Sequence, residues 1–363
     1  MRIVVLGLSL TSSWGNGHAT TYRGLLRALS RNGHDILFLE RDQPWYAENR
    51  DMPQPNFCET AIYDSVGALK QSFAQEVADA DFVMLGSYVP EGNAIAQWIT
   101  HSTHAISAFY DIDTPVTLTK LERGERDYIS PALIPKFDLY LSFTGGPTLR
   151  RIEREFGAPR ARALYCSVDP EQYFPAPSPK KWLLGYLGTY SDDRQPALQR
   201  LLIDVAQRMP ASRFVVAGPQ YPGSIRWPAN IERTLHLEPK LHRAFYNAQH
   251  FTLNITRAAM VKAGWSPSVR LFEAAACAVP IITDEWPGLS EIFDPDREIL
   301  VARSTDDIIQ FLRSPDDCRL VGERARQRVL AEHTAAHRAA ELEQMIESVA
   351  ASRRVRKLEG AIS

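Results

Sequence analysis

Short apolar runs alternate with helix-periodic segments along this 363-residue chain, and the alternation starts twice. The first round passes through Ile3–Leu8, Ile36–Leu39, Asp81–Leu85, Ala105–Tyr110 and Leu139–Phe143. After the first run, Tyr22, Leu25, Leu26 and Leu29 recur at helical spacing up to a stop at Gly33. A proline-rich connection, Pro175-Ala-Pro-Ser-Pro179, precedes the second round. There Trp182–Leu187, Arg213–Ala217, Phe251–Ile255 and Pro280–Thr283 read as strands, with helices around 194–209, 238–249 and 267–277 between them. Strands joined through helices run parallel and bury both faces. The pattern therefore predicts an α/β protein of two doubly wound domains facing a cleft, followed by a mostly helical stretch over 305–350.

The richest segment is Ser266-Pro-Ser-Val-Arg-Leu-Phe-Glu-Ala-Ala-Ala-Cys-Ala-Val-Pro-Ile-Ile-Thr283. Ser266 reads as a helix N-cap and Pro267 as the first helical residue, where no N–H is needed. Leu271, Phe272, Ala275 and Val279 share one face, and Ser266, Arg270 and Glu273 the other. A guanidinium and a carboxylate then lie near a positive helix end, suited to a phosphate and to two ribose hydroxyls.

Phe272-Glu-Ala-Ala-Ala-Cys277-Ala-Val-Pro280 with Gly288-Leu-Ser-Glu291 resembles the donor-site signature of GT-B glycosyltransferases. Within that group it is similar to the CgeB-like and retaining (glycosyltransferase group 1) members. Ser167-Val-Asp-Pro-Glu-Gln-Tyr-Phe174-Pro175 resembles the interdomain connection of the same superfamily. The resemblance is specific from about residue 165 to 302.

It implies two Rossmann-like domains, an acceptor-side domain over 1–170 and a nucleotide-sugar donor domain over 171–330. It also implies a C-terminal helix, 331–363, crossing back to the first domain. Glu273 would bind the donor ribose, and the loop at Ser268–Arg270 would face the diphosphate. The donor would be a UDP-, GDP- or dTDP-linked sugar, bound as substrate without a separate cofactor or metal. Two positions depart from the family pattern. Ala278 stands where Gly is usual, which asks for a negative φ there. Trp265 stands eight positions before Glu273, where many retaining members carry another Glu.

Composition removes other classes. The formal net charge of −2 gives no electrostatic case for nucleic acid as a partner. Cys58, Cys166, Cys277 and Cys318 are scattered without metal-ligand or disulfide spacing, which suits a reducing, cytoplasmic setting. No apolar run is long enough to span a bilayer, and the apolar start reads as a buried strand rather than a signal segment.

The loop Gly15-Asn16-Gly17-His18 follows the first strand, on the ligand side of a parallel sheet, with His18 as a candidate general base toward an acceptor hydroxyl. A dinucleotide reading of this loop, with Glu40 ending the second strand, fails because Thr20 replaces the third Gly. Asp111 and Asp113 follow another strand as base or acceptor-site candidates, or as turn and cap residues; alternation along a strand would let both carboxylates converge.

In the second half, the loop with Gly188, Thr189 and Arg194 contacts the donor phosphates by the resemblance, although Arg194 also has Asp192 and Asp193 beside it. Arg257 faces either the cleft or solvent. His236 lies where such enzymes often read the base. The terminal Arg353–Lys357 cluster reads as a frayed, solvated tail, with at most peripheral membrane contact. The function expected is metal-independent glycosyl transfer. The alternatives are a nucleotide-sugar epimerase or hydrolase of the same form, and a sugar-nucleotide-binding protein without turnover.

Overall fold

In a computed structural model, the backbone is described for residues 1–362 and the side chains for residues 1–355. The chain divides into two units, Met1–Tyr165 with Ala335–Ser363, and Cys166–Thr334. The first holds a seven-stranded sheet made of β1 (Arg2–Gly7), β2 (Asp35–Arg41), β3 (Glu59–Tyr63), β4 (Phe82–Gly86), β5 (Ile106–Asp111), β6 (Leu139–Ser142) and β7 (Ala161–Ala163). The second holds a six-stranded sheet made of β8 (Trp182–Leu187), β9 (Phe214–Ala217), β10 (Ile231–Thr234), β11 (Gln249–Asn254), β12 (Ile281–Thr283) and β13 (Leu300–Val301).

The orders are β3-β2-β1-β4-β5-β6-β7 and β10-β9-β8-β11-β12-β13, with parallel pairing throughout. Both sheets are doubly wound, so the strand order reverses at β1/β4 and at β8/β11. The carboxyl ends beside such reversals are where open α/β sheets place ligands.

Every central strand lies within two residues of its sequence-based bounds. The four strands absent from the sequence reading, β3, β7, β10 and β13, sit at or beside sheet edges. One flank of an edge strand faces no neighbour, so it needs no continuous apolar run. β3 is exposed at Glu59 and Ile62 and buried only at Tyr63, and β13 is only two residues long.

The helix Gly17–Arg31 packs Tyr22, Leu25, Leu26 and Leu29 into the first unit's core, and Ala335, Ala339, Leu342, Ile346 and Val349 of the last helix share that cluster. The last helix runs Ala335–Ile362. Its Arg353 is not a frayed residue. The guanidinium pairs with Asp138 at 2.8 Å and donates to the carbonyls of His104 and Ala105 at 2.7 and 3.2 Å. The side chains of Arg356 and Lys357, in the same basic cluster, lie outside the described residues.

The segment 266–283 differs from its sequence reading at both ends. The helix begins at Val269, not Pro267, and Ser268 rather than Ser266 occupies the flanking position, with extended φ −84° and ψ 150°. Pro267 disfavours helical geometry at the residue before it, and Gly264 and Trp265 upstream both have positive φ. The helix is also buried on all sides from Arg270 to Ala276, not on one stripe.

At its other end, Ala278 has φ +55° rather than a negative value. The chain closes in a Schellman arrangement, with Val279 N–H on Ala274 O at 3.2 Å and Ala278 N–H on Ala275 O at 2.8 Å. That geometry demands the left-handed conformation whichever residue stands there.

Candidate functional site

In the second unit the polar groups gather at the β8/β11 reversal. Gly218, at the end of β9, has φ +144°, and a Cβ there would lie 2.0 Å from the carbonyl oxygen of Gly188. Two backbones therefore cross in contact, and only Gly allows it. Arg270 is 9% exposed and secures the crossing from beneath: Nε donates to Leu187 O at 2.5 Å, and Nη1 donates to Asn254 Oδ1 at 2.7 Å. Its guanidinium stacks over Tyr186, with 4.9 Å to the ring centroid. Ser268 Oγ donates to the same Asn254 oxygen at 2.8 Å. Asn254 ends β11, and the sequence reading missed it because a single Asn in an apolar run carries no pattern.

The loop 188–194 is fixed by its own side chains. Arg194 folds back, donating to Ser191 Oγ at 3.1 Å and Thr189 O at 2.6 Å, instead of pairing with Asp192 or Asp193. Asp192 accepts from Tyr190 at 2.6 Å. Asp193 accepts from Ser191 Oγ and from the Ala258 N–H at 2.8 Å, which ties this loop to the helix Ala258–Ala263. Despite partial burial, those hydrogen bonds and the nearby Arg257 and Arg194 charges hold the Asp193 carboxyl below its usual range. Arg257 occupies the N-cap position of that helix.

Glu273 points away from Arg270, although the two share a helix face. It is 3% exposed, accepts from the Tyr246 hydroxyl at 3.0 Å, and lies 3.6 Å from His242 Nδ1. The other ring nitrogen of His242 meets Leu237 O at 3.2 Å. The carboxylate is thus tied through an imidazole to the half-buried His236 loop between β10 and the helix Pro239–Asn247. Tyr246 and His242 are further site residues without a sequence signal, since an aromatic inside an amphipathic helix reads as core.

Trp265, at the position of the missing Glu, has φ +45°. A Cβ on Gly288 would lie 2.5 Å from its ring, so Gly288 is required to seat the indole.

In the first unit the corresponding edge lies at β1/β4. Asn16 caps the helix Gly17–Arg31 by accepting from the His18 N–H at 3.0 Å. Glu40, fully buried, accepts from the N–H groups of Leu10 and Thr11 at 2.7 and 3.0 Å and from the hydroxyls of Ser9 and Thr11. It is committed to shaping the β1 loop and has no role toward a ribose. Burial pushes the half-buried His18 imidazole down to about 4, so the ring is neutral at pH 7.

His18 meets the Tyr88 ring edge-on at 5.5 Å, and the Tyr88 hydroxyl donates to Asp113 Oδ2 at 3.0 Å. Tyr88 follows β4 with φ +64°, a strained conformation for an aromatic residue. The sequence reading missed it.

Asp111 and Asp113 do not converge on one point. Asp111 is fully buried, accepting from Tyr140 at 2.5 Å and Thr117 at 2.7 Å, and desolvation pushes its carboxyl up to about 6. Asp113 is half-buried at a helix N-cap position. Among the described residues, no three His, Cys, Asp or Glu form a metal-ligating cluster, and no helix is long and apolar enough to cross a membrane.

Residues 194–344 match the sequence family described as glycosyl transferase-like. No curated protein matches the chain. Among solved structures, sucrose-phosphate synthase from Thermosynechococcus elongatus has a TM-score of 0.73 at 14% identity, covering 97% of this chain and 100% of that one. HepE of Anabaena, in complex with UDP and glucose, has a TM-score of 0.69 at 13% identity, covering 96% and 100%. An α-glucosyltransferase in complex with UDP-glucose and DNA containing an abasic site has a TM-score of 0.70 at 12% identity, covering 96% and 99%. At these identities the likeness is one of fold, extending over almost the whole chain.

Proposed function

We infer that this chain is a glycosyltransferase of GT-B fold, one that moves a sugar from a nucleoside diphosphate to an acceptor hydroxyl without a divalent metal; the family match over residues 194–344 and the shared fold support the reading. The bond from the anomeric carbon to the β-phosphate oxygen breaks, and a bond to the acceptor oxygen forms. The acceptor proton passes to a base, and the nucleoside diphosphate leaves. The observation that carries the reading is the Gly188–Gly218 crossing over Arg270, a wall free of Cβ atoms at a strand-order reversal. Backbone at such a place can approach a diphosphate closely, and a fixed cation stabilises the charge developing on the leaving group.

Glu273, with His242 beside it, would hold the ribose. A carboxylate has about four acceptor positions, enough for Tyr246 and two hydroxyls. The acceptor belongs to the first unit in this reading, with His18 or Asp113 taking its proton. Asp111, enclosed by Tyr140 and Thr117, positions that edge and does not touch substrate. The formal charge of −2 favours an acceptor other than nucleic acid.

Calorimetry with UDP, GDP and dTDP tests the donor half. Binding is expected, and Glu273→Ala should weaken it by about 1.5–3 kcal/mol. Unchanged affinity in a folded Glu273→Ala variant removes that residue from the site. Incubation with a donor panel, with and without acceptor hydroxyls, tests transfer. Free sugar released equally in both conditions would favour a hydrolase.

A further inference from the structure

Tyr88 carries a conformational cost that the packing of β4 does not require. Its φ of +64° is one that a glycine would adopt without penalty. The chain enforces that angle from both sides. Ser87 N–H donates to Tyr110 O at 2.9 Å, and Ser87 Oγ accepts from the Ile112 N–H at 3.1 Å. On the far side Gly92 lies against Tyr128, where a Cβ would come within 2.4 Å of the carbonyl oxygen. Backbone strain persists where its surroundings over-determine it, and such places cluster at functional sites.

The first clamp grips the residues just before Asp113, and the ring is delivered to that same residue. The Tyr88 hydroxyl donates to Asp113 Oδ2 at 3.0 Å, while the ring lies 4.8 Å from that of Tyr128 and 5.5 Å from that of His18. Lys120 Nζ sits 5.7 Å from the Tyr88 ring centroid. Burial and the Asp113 carboxylate push the phenol far above its usual range, so it stays a donor at any working pH.

We propose that Tyr88 is a positioning residue for the proton-accepting step: it fixes one oxygen of the Asp113 carboxylate, so that this group meets an acceptor hydroxyl ionised and in one orientation. The acceptor proton goes to the carboxylate as the acceptor oxygen bonds the anomeric carbon. The inference rests on the reading that Asp113 is the base of the first unit. Geometry favours it over His18, because a base is normally oriented by a third group. His18 Nδ1 is shut off from solvent and makes no hydrogen bond, whereas Asp113 has the phenol.

A donor on a carboxylate favours its charged form, so removing the hydroxyl moves the titration of Asp113 to higher pH. The other ionisable groups around the pair keep their own partners. Asp111 Oδ1 accepts from the Asp113 N–H at 3.3 Å, and the Tyr128 hydroxyl shares a hydrogen bond with Thr117 at 2.7 Å. Lys120 pairs with Asp127 at 2.6 Å, and His18 is neutral at pH 7.

Tyr88→Phe keeps the ring and removes only the hydroxyl. Carboxyl ¹³C NMR of the full chain, with Asp113 identified by the signal lost in Asp113→Asn, should show its titration moving up by about one pH unit in Tyr88→Phe. Hydrolysis of UDP-, GDP- and dTDP-glucose, with water as the acceptor, reads the step itself. Tyr88→Phe should lower kcat about tenfold, leave the donor KM within about twofold, and move the acid limb of the kcat profile to higher pH. In the Asp113→Asn background the same change should cost nothing further.

An Asp113 titration unmoved by Tyr88→Phe overturns the proposal, whether or not any donor is hydrolysed. So does an unchanged kcat, or a loss that recurs undiminished in the Asp113→Asn background. If Asp113→Asn hydrolyses donor at the wild-type rate, the reading of Asp113 as base falls and this one with it. If Asp113→Asn is slow and Tyr88→Phe is not, only this one falls.

Discussion

Asp111 and His18 make opposite demands on the pH dependence of the first unit, and the size of each follows from its burial. The Asp111 carboxyl is pushed up from 3.8 to about 6, a shift worth about 3 kcal/mol at 1.36 kcal/mol per unit. Its folded-state value is raised, so its contribution is complete below pH 3.8 and is lost as pH rises to about 6. His18 is pushed down from 6.5 to about 4. Its penalty is absent above pH 6.5 and grows as pH falls toward 4, reaching at most about 3 kcal/mol, less whatever water recovers at the half-buried ring.

Between pH 4 and 6 the two slopes oppose each other, and each single variant exposes the other. Relative to wild type, Asp111→Asn should gain about 2 kcal/mol on going from pH 4 to pH 6, where most of the shift is expressed. His18→Gln should gain relative to wild type as pH falls from 6.5 to 4. Hydrogen exchange of the β4, β5 and β6 amides reads this unit alone, and differences between variants cancel intrinsic exchange rates. A difference between Asp111→Asn and wild type that stays flat from pH 4 to 6 would refute the reasoning.

Gly218→Ala places a methyl 2.0 Å from a backbone oxygen that has no side-chain freedom to move aside. It should abolish nucleotide-induced thermal stabilisation while costing about 1–3 kcal/mol, measured by thermal shift with and without UDP. Ala278→Gly relieves a left-handed alanine and should stabilise the second unit by about 0.5–1 kcal/mol in urea unfolding; a loss would refute the strain argument. Turnover should survive EDTA; activity lost to chelation and restored by Mg²⁺ would count against an arginine-based leaving-group site. Asp113→Asn should cut transfer by about 10²-fold or more with nucleotide affinity unchanged, if Asp113 rather than His18 is the base.

The sheets were legible in sequence because each central strand is apolar on both faces and bounded by turn residues. The edge strands were not, since β3 and β10 carry polar residues toward solvent. Segment 266–283 announced its residues but not their directions. Helical spacing put Arg270 and Glu273 on one face, yet long side chains three residues apart reach different neighbours once the helix is buried all round. Tyr88 was invisible because its interest lies in backbone strain and in ring contacts distant from any motif.

The chain leaves the first unit at Tyr165 and returns at Ala335, and the two ends of the intervening unit meet side by side, Val168 pairing with Thr334. The second unit is therefore an insertion whose entry and exit are already joined. A ribosome must deliver all of it before it delivers Ala339, Leu342 and Ile346, the residues that cover Tyr22 and Leu26. The half made first is completed last. Until then the face of the helix Gly17–Arg31 that the final helix covers stays bare, while the inserted unit has everything it needs to close.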